Sequence, residues 1–133
     1  MAALVDTSVF VAAERGTLDL DRLHEIHGEP GLVMAAITAA ELLHGVHRVR
    51  GSGRKARAEA FVEAILAGVP VVPFDLACAR AHARVGAALA RRGVTIGAHD
   101  LLIGATALAL GLSILTLDRR SFSRIPDLEI QLA

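Results

Sequence analysis

Short apolar runs alternate with amphipathic stretches along this chain. Ala3 to Val5 is wholly apolar and stops at Asp6, the pattern of a buried strand. Thr7 to Arg15 continues amphipathically to Gly16, which predicts a helix. Leu18 to His27 predicts a second short helical piece, closed by a turn over Gly28 to Gly31. Leu32 to Ile37 is the next apolar run. Thr38 to Gly51 has helical periodicity, with Leu42, Leu43 and Val46 on one side. After a break at Gly51, Ser52 and Gly53, the segment Ala56 to Ala67 places Phe61, Ile65 and Leu66 at helical spacing. Val69 to Phe74 predicts a third strand. Leu76 to Arg92 predicts a long alanine-rich helix, and Leu128 to Leu132 a last strand.

The stretch GAHDLLIGATALALGLSILTLD, from Gly97 to Asp118, needs separate treatment. The 17 residues between Asp100 and Asp118 carry no charge. A membrane-spanning helix needs about 20 apolar residues. Here Gly111 fits the residue just past a helix end, and LSILTL after it has strand character. The stretch therefore reads as a helix over Leu101 to Leu110, a glycine turn and a returning strand. A helix of about 11 residues rises roughly 16 Å. A strand of about 6 residues returns roughly 20 Å. Asp100 and Asp118 should thus finish on the same edge of the molecule, and no membrane span is expected.

Strands alternating with helices predict an α/β domain over residues 1–133. Its mostly parallel central sheet should have four to five strands, helices on both faces and right-handed crossovers. Continuously apolar strands fit a sheet covered on both sides.

This topology gives the acidic residues a common address. In parallel α/β sheets, strand C-termini and the following helix N-termini share one edge, where sites form. Asp6, Glu41, Asp100 and Asp118 all fall there. Gathered carboxylates repel one another unless protonated or bound to cations. Hard ions such as Mg²⁺ and Mn²⁺ favour oxygen donors of this kind. Each acid also has a structural explanation. Asp6 could cap the helix after it, Thr38 and Glu41 have capping-box spacing, Asp100 could complement a helix dipole, and Asp118 could be a turn residue. Asp75, between a strand and a helix, shares the same position.

Composition narrows the classes. Hydrophobic residues make up 53% of the chain, too many for a disordered polypeptide. The 14 Lys and Arg balance 14 Asp and Glu, so bulk charge does not mark a nucleic-acid binder. Setting the four edge acids aside leaves a basic remainder, which can form a basic rim around an acidic pocket. The basic clusters are Arg48, Arg50, Arg54, Lys55 and Arg57; Arg91 and Arg92; and Arg119, Arg120 and Arg124. Arg119 and Arg120 directly follow Asp118 and are the foremost candidates for phosphate contact. With no Trp or Tyr and only 4 Phe, base stacking should not dominate recognition. Cys78 is alone, which excludes an intrachain disulfide and fits a reducing cytoplasmic compartment. Glu41, His44 and His47 give E-x-x-H-x-x-H, but a di-iron bundle needs two such units and more helices than this alternation allows.

The segments ALVDTSVF, ITAAELLHG, IGAHDLLIGATAL and ILTLDRRSF, in this order, resemble the PIN domain. More narrowly, they resemble the VapC toxins of bacterial type II toxin–antitoxin pairs. The resemblance runs from Ala3 to about Leu128. It implies a PIN-like fold and a Mg²⁺- or Mn²⁺-dependent ribonuclease that hydrolyses RNA with a metal-activated water, leaving a 5′-phosphate and a 3′-hydroxyl. It implies Asp6, Glu41, Asp100 and Asp118 as catalytic and metal-binding acids, supported by the hydroxyls of Thr7, Ser8 and Thr116. It further implies a VapB-type antitoxin partner and a homodimer. One departure is His99, where Asn is commoner before the third acid. Asp75 lies outside the family's acid set and reads as a helix cap. The competing possibility is a PIN scaffold that acts only by binding a partner or RNA.

Overall fold

The computed structural model describes residues 2–28 and 31–133. Among the described residues, five strands and seven helices alternate. The strands are β1 (Ala3–Val5), β2 (Leu32–Ala35), β3 (Val71–Val72), β4 (Ser113–Thr116) and β5 (Ile130–Leu132). The helices are α1 (Thr7–Glu14), α2 (Leu20–His27), α3 (Ala36–Arg48), α4 (Ser52–Gly68), α5 (Leu76–Arg91), α6 (Ala98–Leu110) and α7 (Arg119–Phe122). All strand pairs are parallel, in the order β3-β2-β1-β4-β5.

Side chains on successive strand residues point to opposite faces. Ala3 and Val5 of β1, with Leu32 and Met34 of β2, join a core that includes Phe10 of α1, Leu42 of α3 and Ile65 of α4. Leu4 and Ala35 point the other way, into a core with Val85 of α5, Ile103 of α6 and Phe122 of α7. The central strands β1, β2 and β4 are therefore covered on both faces, whereas Val71 of β3 and Leu132 of β5 are exposed at the sheet edges.

Apart from the short α7, which the apolar pattern did not predict, the elements fall where expected, but several boundaries move: α4 already begins at Ser52, inside the expected break, with only Gly51 outside the helix. The run Leu32 to Ile37 divides at Ala35, and α3 begins two residues before Thr38. Thr38 is consequently inside the helix, so it forms no capping box with Glu41. Its buried hydroxyl has no hydrogen-bond partner. Within α3, Leu42 and Val46 are buried while Leu43 is exposed. β3 is shorter than the apolar run Val69 to Phe74 because Pro70 and Pro73 bracket it and have no N–H to donate. The Pro70 carbonyl still accepts from Met34 N–H at 2.9 Å. The turn expected over Gly28 to Gly31 includes Glu29 and Pro30, which lie outside the described residues.

The stretch from Gly97 to Asp118 folds as helix, turn and strand. Gly111 ends α6 with φ at +67°, a left-handed conformation that glycine adopts without strain. Among the described residues, no helix is long and apolar enough to cross a membrane.

The strand order reverses direction at the centre. From β1 the chain moves to β2 and β3 on one side, and later returns to place β4 on the other. A crevice forms outside the strand carboxyl ends at such a switch point. Asp6 follows β1, and Asp118 lies two residues beyond β4.

Candidate active site

Asp6 is 6% exposed and occupies the N-cap position of α1, yet its side chain makes no capping bond. Its Oδ2 instead accepts from the hydroxyls of Ser8 at 2.8 Å and Thr116 at 2.9 Å. These hydroxyls in turn accept backbone N–H bonds, Ser8 from Leu117 at 3.1 Å and Thr116 from Asp118 at 2.9 Å. Two hydroxyls thus relay the polarity of the β4–α7 turn onto one buried carboxylate, which a buried anion requires.

Glu41 projects from α3. Its Oε1 accepts from Thr7 Oγ1 at 2.8 Å, and its Oε2 lies 3.1 Å from His99 Nδ1. Asp118 caps α7, accepting from Arg120 N–H at 3.1 Å. Its expected structural role as a turn residue is therefore present alongside its place in the site.

Asp100 stands in the first turn of α6. Burial raises its carboxyl above the ordinary carboxylate value, and the negative charge of Asp6 raises it further. The nearby Ser121 hydroxyl opposes the rise, while Glu41 and Asp118 add to it. Asp100 therefore feels all three other acids, and the helix and the returning strand do bring Asp100 within reach of Asp118.

The acids share one edge without closing on one another. Among the described residues, no three Asp, Glu, His or Cys side chains gather into a ready metal cage. The open spacing suits a hydrated ion. Mg²⁺ keeps several of its waters and takes only one or two carboxylates directly. An all-oxygen donor set with a carboxyl pushed up by burial and then by its acidic neighbours fits a hard divalent cation.

Asp75 proves different in kind. It is exposed and accepts from Cys78 N–H at 3.0 Å, capping α5. That hydrogen bonding, from Cys78 foremost, holds its carboxyl below the ordinary value. Of the basic candidates, Arg119 and Arg120 are exposed on α7 beside Asp118. Arg124 is engaged, donating to Thr95 O at 2.9 Å across the α5–α6 connection. The pattern of the sequence did not reveal Ser121 against Asp100 or His99 against Glu41. The fragment LDRRSF held Ser121, but nothing in its spacing pointed to α6.

Beside Thr7 and Glu41 a cavity of about 270 Å³ runs between α1, α3 and α4, lined by Val11, Leu42, Val46 and Val62 and reaching Arg48. Leu42, Gly45 and Val46 of α3 and Ala58 and Val62 of α4 line it together.

Comparison with known proteins agrees with this architecture. The PIN-domain family model matches residues 3–128. Ribonuclease VapC1 of Rickettsia felis is 35% identical over 130 residues, which are 98% of this chain and 95% of the relative. The structure of VapBC2 from Rickettsia felis bound to a promoter DNA fragment shares the fold with a TM-score of 0.91 at 24% identity, over 100% of this chain and 99% of that one. The DNA-bound VapBC structure from Salmonella typhimurium gives a TM-score of 0.89 at 26% identity, over 99% and 98% of the two chains. A parallel five-stranded sheet with acids at its switch point, matched end to end by these relatives, identifies the chain as a member of the PIN-domain family, of the VapC kind.

Proposed function

We propose that this chain is a divalent-metal-dependent ribonuclease and the toxin half of a VapBC-type pair, acting on RNA in the cytoplasm. The observation that carries the proposal is the raised carboxyl of Asp100, set against Asp6, Glu41 and Asp118 at the sheet switch point. Such a set is repulsive when empty and relieved by a cation. Kinship to proteins named ribonuclease VapC supports RNA as the substrate class.

In this reading Asp6, Glu41, Asp100 and Asp118 would hold Mg²⁺ or Mn²⁺. A bound divalent ion lowers the pKa of water and offsets charge on phosphoryl oxygens. The chain's own groups fix the donors. Ser8 and Thr116 orient Asp6, Thr7 orients Glu41, and Ser121 meets Asp100. Asp118 is held by its bond at the start of α7, which also carries Arg119 and Arg120 beside the edge. These two arginines would take backbone phosphates of the RNA. The products would be a 5′-phosphate and a 3′-hydroxyl.

The cavity between α1, α3 and α4 offers apolar walls beside the acids, suited to a segment of a VapB-type antitoxin. Relatives of known structure include complexes of the VapBC type. A homodimer completes the proposed assembly. The whole of residues 1–133 would act as a single PIN domain.

The test is Mg²⁺-dependent RNA cleavage by wild type, Asp6→Asn and Asp100→Asn. Loss of cleavage in both variants, with products bearing 5′-phosphates, is the expected result. Undiminished cleavage in both would remove the assignment. The competing reading is a PIN scaffold that only binds a partner or RNA. That alternative requires no rise in melting temperature on adding Mg²⁺ or Mn²⁺.

A further inference from the structure

Glu41 differs from the other edge acids in reach. A glutamate has one more rotatable bond than an aspartate, so more freedom must be removed to hold its carboxylate in place. Glu41 is also the acid placed farthest into its helix, on the second turn of α3. Two contacts restrain it from two other helices. Thr7 of α1 donates to Oε1 at 2.8 Å, and His99 of α6 brings Nδ1 to 3.1 Å from Oε2. The side chains of His99 and Glu41 are 54% and 28% exposed, so neither group is buried for packing alone. His99 immediately precedes Asp100, and a contact from it to Glu41 ties the position of α3 to that of α6.

We propose that His99 is a positioning residue for Glu41, donating from Nδ1 and holding the carboxylate toward the other acids. Asparagine is the conservative substitute for this role. The amide nitrogen of asparagine and Nδ1 of histidine lie the same number of bonds from Cα. Either side chain presents an N–H donor at that distance, whereas alanine presents none. Partners that orient metal ligands in this way typically change metal affinity by about 10- to 100-fold when removed.

The assignment rests on the metal reading of the acids, and the experiment separates the two. Mn²⁺ binding to the full-length chain is followed by the electron paramagnetic resonance of free ion, for wild type, His99→Ala, His99→Asn and Asp6→Asn. His99→Ala should bind Mn²⁺ about 10-fold more weakly, and His99→Asn should recover to within about twofold of wild type. A purely structural role would lower the melting temperature without this split between Ala and Asn. Unchanged affinity in His99→Ala, or an Asn variant no better than Ala, overturns the role of His99. If Asp6→Asn also binds Mn²⁺ like wild type, the metal reading itself has failed. A second measurement needs no metal. Long-range ¹H–¹⁵N spectra of the neutral ring should show the proton on Nδ1 in wild type and on Nε2 in Glu41→Ala. Identical spectra would mean that the contact is not a hydrogen bond, and the proposal would fall.

Discussion

Asp6 and Asp75 occupy equivalent places in the chain, each between a strand and a helix, each at the N-cap position. Their surroundings send them in opposite directions. Asp75 is exposed and spends its carboxylate on the backbone N–H of Cys78, as an N-cap does. Asp6 is buried and leaves its own helix uncapped, while two hydroxyls from Ser8 and Thr116 converge on one oxygen. The difference arises from sheet position. β1 lies at the centre with neighbours on both sides, so the residue after it meets groups arriving from β4. β3 is an edge strand of two residues, and Asp75, three residues beyond it, finds its hydrogen-bond partner in its own helix. An acid at a strand–helix junction becomes a site residue when another strand delivers partners to it.

The largest test of that contrast exchanges charge at the two positions. Asp6→Asn should reduce Mg²⁺-dependent RNA cleavage by about 100-fold or more, the scale of an ion's stabilisation of transition-state charge. Asp75→Asn, measured by the same initial rates, should stay near wild type. Equal losses would erase the distinction.

Removing the partner instead of the acid should give a smaller effect. Thr116 is 0% exposed and joins Asp6 to the backbone of Asp118. Thr116→Val keeps the shape and loses the hydroxyl, which should cost about 1–3 kcal/mol in chemical denaturation through the buried groups left unpaired. A change below the precision of denaturation would mean that Ser8 alone satisfies Asp6.

Acidity supplies the third contrast. The Asp100 carboxyl is raised, so ionising it in the folded state opposes folding. That penalty is complete above its folded pKa and absent below its ordinary value of 3.8. Asp100→Asn should therefore raise the melting temperature of the metal-free protein at neutral pH, with the gain vanishing as pH falls. The Asp75 carboxyl is lowered, so its contribution is present above 3.8 and lost as pH falls through its folded value. Asp75→Ala should accordingly lower the melting temperature slightly at neutral pH and not at strongly acidic pH. Melting curves across pH read both, and matching signs would show that the two acids share one environment.

Much of this was legible from periodicity. The alternation of apolar runs located every strand, and the lengths of the helix and strand around Gly111 brought Asp100 and Asp118 to one edge. The boundary at Ala35 was not legible, because a buried strand and the first turn of a buried helix are both continuously apolar. The exposure of Leu43 likewise depends on which neighbours cover α3. The pairs His99–Glu41 and Ser121–Asp100 join side chains from separate elements, and no local pattern records such a meeting. Resemblance to the PIN family marked Thr7, Ser8 and Thr116, and the structure adds which acid each one touches.

The bond from Thr116 to Asp6 spans 110 residues. During synthesis the N-terminal part of a chain emerges first, at about 5–20 residues per second. Asp6 is therefore made well before the Thr116 hydroxyl that clamps it. Parallel pairing between β1 and β4 carries the same delay, since distant contacts must await the closing of long loops. A ribosome that has not yet made β4 carries a β1 strand with β2 alone beside it and Asp6 with only one of its two hydroxyls. An interval of several seconds thus separates the appearance of Asp6 from the assembly of the edge around it.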